Sequence, residues 1–251
     1  GGTVGNGVSF ALVNQGTIRA DAAGKTVTVT GSTVTNNAGG VWETAGGTFS
    51  LGGAWNNSAG TLLVSSGVLN LGGTFTTAQL GALQNTGGTT NLTGVLTNTG
   101  TTLALTAGTG SINLTGGTIV GGTVTGTGAS LLMPFNTSGT LDTVTLATDL
   151  SLTDAARLTV QNGLTLKDAT KVTLNSAGNS TRLDFSGTQA LAHTGTGTAE
   201  VVFAGTSANN SVQPTAGTLT IGPGILIHSG TGGQGGTVGN GVSFALVNQG
   251  T

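Results

Sequence analysis

The 251-residue chain has no cysteine, no tyrosine, three prolines and few charged residues. Without cysteine it cannot be a disulfide-stapled scaffold. Charged residues make up 6% of the chain, whereas a typical soluble domain has about 25%, and this scarcity argues against an ordinary globular enzyme. A disordered chain needs low hydrophobicity and high net charge, but the mean hydropathy is +0.24 and the net charge is −2. The scarce prolines and irregularly spaced glycines also exclude collagen.

The charge balance and the distribution of apolar residues bear on two classes of partner. A net charge of −2 and a pI near 5.4 give no basic surface for nucleic acid. No apolar run reaches the roughly 18–20 residues that a membrane-spanning helix needs. We therefore expect no nucleic-acid partner and no membrane span. The remaining class is a β-rich repetitive protein with 48 glycines and many threonines, valines, leucines and asparagines.

A seventeen-residue segment occurs twice without a single difference. Residues 1–17 and 235–251 both read GGTVGNGVSFALVNQGT. Identity over this length indicates tandem duplication, so residues 1–234 are predicted to form one long repeat and residues 235–251 to begin the next. The two copies should superpose after a screw movement along the repeat axis. The residues predicted to lie at the joint between repeats are Gly1, Phe10, Asn14 and Thr17 in the first copy and Gly235, Phe244, Asn248 and Thr251 in the second.

A shorter period runs inside the long one. An aliphatic residue recurs before a closing glycine phrase at Val29, Leu51, Leu71, Leu92 and Leu114, which are the predicted core-ladder positions. The steps between them are nearly constant. Steps that vary by one or two positions around a constant phrase are typical of a solenoid, in which turns of adjustable length join fixed strands. The pattern predicts an all-β fold, a parallel β-helix with about 11 coils of roughly 20–22 residues per long repeat.

Short alternating phrases such as TVTVT at 26–30 and SINLT at 111–115 predict strands, and the glycines and asparagines after them predict corners. A coil of this length leaves room for about three strands. Only residues 77–83 and 153–158 are compatible with a helical turn. In the second half, where Met133-Pro134-Phe135 interrupts the phrase, the pattern does not define a unique coil phase.

The Gly-Gly-Thr phrases at 46–48, 72–74, 87–89 and 121–123, with GTLLVSSGVLNLGG at 60–73, resemble the strand repeats of bacterial autotransporter passengers. They are similar also to filamentous-haemagglutinin-type adhesins and to giant tandem-repeat surface proteins. The resemblance implies a right-handed parallel β-helix that serves in surface fibres, adhesion or extracellular matrix. An extracellular or cell-surface location is therefore expected.

An enzymatic β-helix, such as a polysaccharide lyase or hydrolase, is the main alternative. Nine of the fourteen Asp, Glu, Lys and Arg residues cluster between 142 and 184, where carboxylates beside a cation could serve acid–base chemistry. The same cluster fits a solvated face of alternating charge. His193 and His228 could form a metal pair, but without cysteine or an acidic neighbour in phase they fit separate surface positions better. We predict no catalytic residue, no metal site and no cofactor.

A carbohydrate-binding solenoid and an ice-binding solenoid are further alternatives. Trp42 aligns with Leu62 and Trp55 with Phe75 when successive coils are compared, which favours core positions over sugar platforms. Threonine rows could order water on a flat face. The interpretation we favour is a non-enzymatic structural subunit of an extracellular fibre or giant adhesin stalk. Its predicted partner is itself, through head-to-tail repeats, with lateral bundling and a surface or glycan target left open.

Overall fold

The alternation of apolar and polar residues produces short strands, and the glycine-rich phrases between them produce corners. A computed structural model describes residues 1–5, 10–239 and 244–251. The chain forms a parallel β-solenoid of about 11 turns with a spacing of about 22 residues. The predicted all-β solenoid is therefore confirmed.

The described residues form 27 strands and one helical turn. In chain order they are β1 Gly2–Val4, β2 Ala11–Asn14, β3 Thr17–Ala20, β4 Thr26–Asn36, β5 Val41–Asn56, β6 Thr61–Leu71, β7 Thr74–Thr76, α1 Thr77–Leu80, β8 Ala82–Asn85, β9 Thr89–Leu92, β10 Val95–Thr97, β11 Thr102–Thr106, β12 Ile112–Leu114, β13 Thr118–Val120, β14 Thr123–Thr127, β15 Leu131–Met133, β16 Ser138–Ala147, β17 Leu150–Thr153, β18 Arg157–Lys167, β19 Lys171–Ser176, β20 Thr181–Ser186, β21 Gln189–Thr194, β22 Ala199–Gly205, β23 Asn210–Pro214, β24 Thr218–Ile221, β25 Ile225–Ser229, β26 Thr237–Val238 and β27 Ala245–Asn248.

Each coil has three faces, because the chain contributes three strand segments per coil and each segment pairs in parallel with its equivalent in a neighbouring coil. Longer strands bend at a corner and supply segments to two or three faces. Face 1 runs β1, β4, β5, β6, β9, β12, β15, β17, β19, β22, β25. Face 2 runs β2, β4, β5, β7, β10, β13, β16, β18, β20, β23, β26. Face 3 runs β3, β5, β6, β8, β11, β14, β16, β18, β21, β24, β27. Between β8 and β11 the strand pairing is interrupted, and the Asn85 N–H donates instead to the Gly108 carbonyl at 2.8 Å.

An inward aliphatic row fills the core behind face 1. The register pairs Val29 with Leu51, Leu51 with Leu71, Leu71 with Leu92, and Leu92 with Leu114. All five side chains are at most 3% exposed. Burying one such side chain stabilises the fold by about 2 kcal/mol, so the row offsets much of the entropy lost on ordering the coils. The row continues through Met133, Leu152, Leu174 and Phe203.

Both tryptophans lie in the core, as the alignment predicted. The register pairs Trp42 with Leu62 on face 3, and on face 2 the pairing of the neighbouring residues sets Trp55 beside Phe75. Trp42 and Trp55 are 1% and 2% exposed. The rings of Trp55 and Phe75 stack with centroids 4.2 Å apart, and the Trp55 Nε1–H donates to the Gly72 carbonyl at 2.8 Å. These side chains are therefore packing residues.

Glycine is required where corners of successive coils stack most closely. Gly53 and Gly73 both have φ of +67°, a left-handed conformation that other residues adopt only with strain. A Cβ at Gly73 would lie 1.9 Å from the Gly53 carbonyl oxygen, and a Cβ at Gly53 would lie 2.5 Å from the Gly31 carbonyl oxygen. The recurring glycine phrases thus set the distance between coils at this corner.

Of the two predicted helical turns, one forms. Thr77–Leu80 is helical and is started by a capping box, in which the Thr76 hydroxyl accepts from the Gln79 N–H and the Gln79 side chain accepts from the Thr76 N–H. Residues 153–158 are not helical: β17 ends at Thr153, a tight turn with Ala155 at φ of +63° comes next, and β18 begins at Arg157. The alternation that continues into β18 overrides the short local helix preference there. Across the described ranges, no helix is long and apolar enough to cross a membrane.

Some outward rows keep one polar residue type over several coils, whereas others mix residue types. On face 1, amide groups bond along the axis, from Asn91 to Asn70 at 3.0 Å and from Asn113 to Asn91 at 3.1 Å. On face 3, one row consists of Thr102, Thr123, Thr145 and Thr165. The row beside it mixes alanine and threonine at Ala104, Thr125 and Ala147.

Candidate functional site

The duplicated segment supplies strands of the first and last coils of the described solenoid. The same four residues form a strand in each copy, Ala11–Asn14 and Ala245–Asn248. The turn after the strand is also the same, because the Gly16 N–H donates to Asn14 Oδ1 at 3.4 Å and the Gly250 N–H donates to Asn248 Oδ1 at 3.1 Å. Residues 6–9 and 240–243 of the two copies lie outside the described part of the chain. In the described part, the copies share their local conformation.

Each copy has a neighbouring coil on one side only, and the two sides are opposite. The first copy pairs with strands later in the chain: β1 and β2 pair with β4, and β3 pairs with β5. The second copy pairs with strands earlier in the chain: β26 pairs with β23, and β27 pairs with β24. The two copies together therefore display both sides of a single joint coil.

The two copies lie on different faces. Strand β1 is on face 1, whereas its counterpart β26 is on face 2; β2 is on face 2, whereas β27 is on face 3. Thr17 begins the strand on face 3, but Thr251 lies on face 1, where its N–H donates to Ile225 O at 2.9 Å and its carbonyl accepts from Ile227 N at 3.0 Å. The screw that relates the copies therefore includes a turn of one face, which the sequence did not predict.

The remaining predicted joint residues lie at the same two ends. Gly1 is beside the Thr26 backbone, where a Cβ would meet the carbonyl oxygen at 2.4 Å, and the Phe10 carbonyl accepts from the Ser32 N–H at 3.0 Å. The Gly235 carbonyl accepts from Asn210 Nδ2 at 3.1 Å. Apolar side chains remain exposed in the last coil, with exposed fractions of 39%, 41% and 38% for Val238, Phe244 and Leu246. A last coil with no coil stacked on it thus leaves apolar side chains in contact with water.

An internal asparagine row begins in the first copy. Asn14 Nδ2 donates to Asn36 Oδ1 at 2.7 Å, and Asn36 Nδ2 donates to Asn57 Oδ1 at 2.7 Å. Asn36 and Asn57 are fully buried, and Asn14 is 7% exposed. Asn57 Nδ2 then donates to the Leu80 carbonyl at 2.8 Å. Since every buried amide in this row has partners, the row fixes the corner between faces 2 and 3 without leaving polar groups unpaired.

The predicted charge cluster is divided among faces and corners. On face 2, Arg157 and Arg182 both contact the buried carboxylate of Asp184. At the corner between faces 1 and 2, Asp154 accepts from Asn179 Nδ2 at 2.7 Å and from the Ala177 N–H at 2.7 Å. The hydrogen bonds from the Asn179 side chain and from the Ala177 N–H lower the pKa of Asp154. These carboxylates have separate cation or amide partners.

The two histidines also lie apart, but the expectation that neither has an acidic neighbour was wrong, because each lies beside its own carboxylate from another coil. His193 Nε2 is 2.6 Å from Asp168 Oδ1 at the corner between faces 3 and 1. Hydrogen bonds from the Gly197 N–H and, as the second cause, from His193 lower the pKa of Asp168. On face 1, His228 Nε2 is 3.5 Å from Glu200 Oε2, and Lys171 Nζ is 3.0 Å from the same oxygen. The Lys171 ammonium is the main cause of a lowered pKa of Glu200. Within the described ranges, no three His, Cys, Asp or Glu side chains converge.

The duplicated segment and its joint residues were predicted from the sequence, but the internal asparagine row was missed. Its signal was present, because Asn14, Asn36 and Asn57 recur at the spacing of the coils. Comparisons of the chain with protein-family models, with curated proteins and with solved structures found no match. The joint and the repeat pattern therefore carry the functional argument.

Proposed function

We propose that this chain is a structural subunit of a long extracellular fibre or adhesin stalk, in which solenoid repeats equivalent to residues 1–234 are joined head to tail. The observation that carries the proposal is the duplicated segment. Residues Ala11–Asn14 and Ala245–Asn248 form the same strand in the two copies, and the copies leave opposite edges unpaired. The coil that follows the first copy and covers it is therefore equivalent to the coil that is missing after the second copy.

The physics of an open solenoid supports a continuous array. A free end presents unpaired backbone N–H and C=O groups that invite uncontrolled association. It also leaves Val238, Phe244 and Leu246 partly exposed. When another repeat is added, its first strands satisfy the backbone groups and cover these side chains, and burying a large apolar side chain fully is worth about 2 kcal/mol. In an array of repeats every internal end is covered, and only the two outermost ends need another solution.

The composition is compatible with the proposed location outside the cell. The chain has no cysteine and 6% charged residues, and solenoid stability comes from stacked neighbours rather than from disulfides or ion pairs. Its first proposed partner is an identical repeat. Lateral bundling of fibres, and a glycan or other surface target, are secondary to that.

The covalent length of the native polypeptide tests the proposal. Native material is solubilised under harsh denaturing conditions and its mass is measured. We expect a species far heavier than 24.1 kDa, or a ladder that steps by one repeat. A single species close to the mass of this chain would refute the tandem fibre. It would mean separate subunits in which the duplicated ends serve another purpose.

A recombinant comparison isolates the contribution of the joint. Three chains are compared: residues 1–234, residues 1–251, and two consecutive repeats followed by the seventeen-residue segment. If repeats stack in a continuous solenoid, the two-repeat chain should unfold at higher denaturant concentration than either single-repeat chain, because nearest-neighbour interfaces add stability. An unchanged midpoint would mean that neighbouring repeats fold independently, contrary to the proposal.

A further inference from the structure

We propose that each repeat of the tandem fibre is turned by one solenoid face relative to the repeat before it. This inference rests on the fibre proposed above and adds a specific geometry to it. A side chain that points outward from face 1 in one repeat lies on face 2 in the next and on face 3 in the third. The starting face is reached again in the fourth repeat.

The turn results from the number of strand segments in one repeat. Counting each bent strand once for every face that it enters, the 27 strands supply 33 segments, three for each of 11 coils. Strand β1 is the first segment and β26 is the thirty-second, so the step from one copy to the next spans 31 segments. Thirty-one segments are ten coils and one additional segment. The remainder is one face.

The inward side chains of the joint coil are compatible with this turn on face 2. The second copy pairs Val238 with Val212 of the preceding coil. The first copy pairs Val4, the counterpart of Val238, with Val29 of the following coil. Joining the two sets gives an inward row of three valines across the joint, because Val212, Val238 and the next repeat's Val29 become successive neighbours.

Faces 3 and 1 give the same result. On face 3, Leu246 pairs with Leu219, and its counterpart Leu12 pairs with Val34. On face 1, the hydrogen bonds of Thr251 put the following isoleucine of the next repeat, the counterpart of Ile18, beside Ile227. Each inward position that the turn creates on these faces thus stacks aliphatic against aliphatic or aromatic, since Ile18 itself pairs with Trp42.

The partly buried apolar residues support the same joint. Val4, Leu12 and Ile18 in the first coil and Ile227 in the last coil pack against the core but are incompletely covered. In the turned joint, Ile227 contacts the counterpart of Ile18, and Val4 and Leu12 gain the neighbours that Val238 and Leu246 already have. The incomplete burial of these four side chains is therefore at positions that the joint would cover.

The turn determines what the fibre presents to a lateral partner. With coils about 4.8 Å apart, one repeat adds about 50 Å to the fibre, and three repeats add about 150 Å before the same face recurs. Every outward feature, such as the asparagine row on face 1, then occurs on all three sides. A neighbouring fibre or a surface would meet the same side chains from any direction of approach.

Cysteine pairs test the turn in a chain of two repeats followed by the seventeen-residue segment. The natural chain has no cysteine, so any disulfide that forms within a chain joins the two introduced cysteines. Neighbouring parallel strands are about 4.8 Å apart, within the Cα separation that a disulfide spans. The pairs are Ser211→Cys with Thr237→Cys, and Thr237→Cys with the same change at Thr28 of the second repeat. Thr3→Cys with Thr28→Cys in the first repeat is the positive control.

A fourth pair, Val202→Cys with Thr237→Cys, is the alternative, because a whole number of coils would return Thr237 to face 1. Disulfides are detected by mass after proteolysis. We expect both joint pairs to form at a rate close to that of the control pair, and the Val202 pair to form at least tenfold more slowly. Formation of the Val202–Thr237 disulfide at the control rate would refute the one-face turn but would still be consistent with a continuous fibre. Formation of the Ser211–Thr237 disulfide without the disulfide from Thr237 to Thr28 of the second repeat would refute both the turn and the continuous fibre.

Discussion

The internal asparagine row allows a sharp test, because the same inter-coil amide bond also occurs on the outer surface. Asn36 is fully buried and bonds Asn14 and Asn57 in the neighbouring coils. Asn91 bonds Asn70 and Asn113 in the same manner, but its side chain is outward and partly exposed. Replacing each by alanine removes equivalent bonds from two different environments.

The expected difference depends on the groups that each substitution leaves behind. Asn36→Ala leaves the Asn57 Oδ1 atom without its donor inside the core, and an unsatisfied buried polar atom costs about 1–3 kcal/mol. It also removes the bond from Asn36 Nδ2 to the Thr61 carbonyl, which is worth about 1 kcal/mol. The total loss is about 2–4 kcal/mol. For Asn91→Ala, water replaces the lost partners, and the expected cost is below about 1 kcal/mol.

Urea unfolding of the 251-residue chain measures both values, with hydrogen exchange of nearby amides to show whether the loss is local to the coils around the substitution. Asn36→Asp serves as an additional variant, because it keeps the shape but replaces the amide donor. We expect it to destabilise at least as much as alanine. Equal losses for Asn36→Ala and Asn91→Ala would refute the argument that burial of the row determines its contribution.

Three further predictions concern other parts of the solenoid. Gly73→Ala should destabilise by at least about 2 kcal/mol more than Gly24→Ala in urea unfolding, because both residues have φ of +67° but only Gly73 would clash with a neighbouring coil. The pKa of Asp168 is lowered from its usual value by the Gly197 N–H and His193; the stabilisation it contributes is present above about pH 4 and is lost as the pH falls through the lowered pKa. The difference in melting temperature between the natural chain and Asp168→Asn should therefore shrink below about pH 4. Both tryptophans should emit at short wavelength and resist quenching by acrylamide until the chain unfolds.

The first half of the solenoid was readily predicted from the sequence because its inward residues recur with a nearly constant phrase. The spacing alone predicts an inward row, and the register places its members side by side: Val29, Leu51, Leu71, Leu92 and Leu114. Equivalent residues of successive coils stack directly on one another, so each residue contacts the residue one repeat period away. The period of the sequence therefore determines the strand register.

The coil positions in the second half were harder to predict from the sequence, because strands on all three faces show the same alternation of apolar and polar residues. The phrases near 152, 174 and 203 belong to face 1, but that near 185 belongs to face 2, and those near 166 and 221 belong to face 3. Period-two alternation identifies a strand but does not identify its face. The spacing on face 1 also becomes uneven, since the step from Leu174 to Phe203 is much longer than the step from Met133 to Leu152. The one-face turn of the joint was hidden for the same reason.

The scarcity of charge has its origin in the same stacking. Side chains at one outward position lie about 4.8 Å from their equivalents in the next coil, where two like unit charges repel by about 1 kcal/mol even in water. Opposite charges therefore stack in neighbouring coils, as Lys171 and Glu200 do on face 1 and as Arg19 and Glu43 do on face 3. Where Arg157 stacks directly on Arg182 on face 2, the Asp184 carboxylate contacts both cations. In the turned joint, the counterpart of Arg19 would follow His228 on face 1 and would itself be followed by the counterpart of Glu43. The cation beside the histidine is thus compensated by the next coil, and the turn continues the alternation of charge into the following repeat.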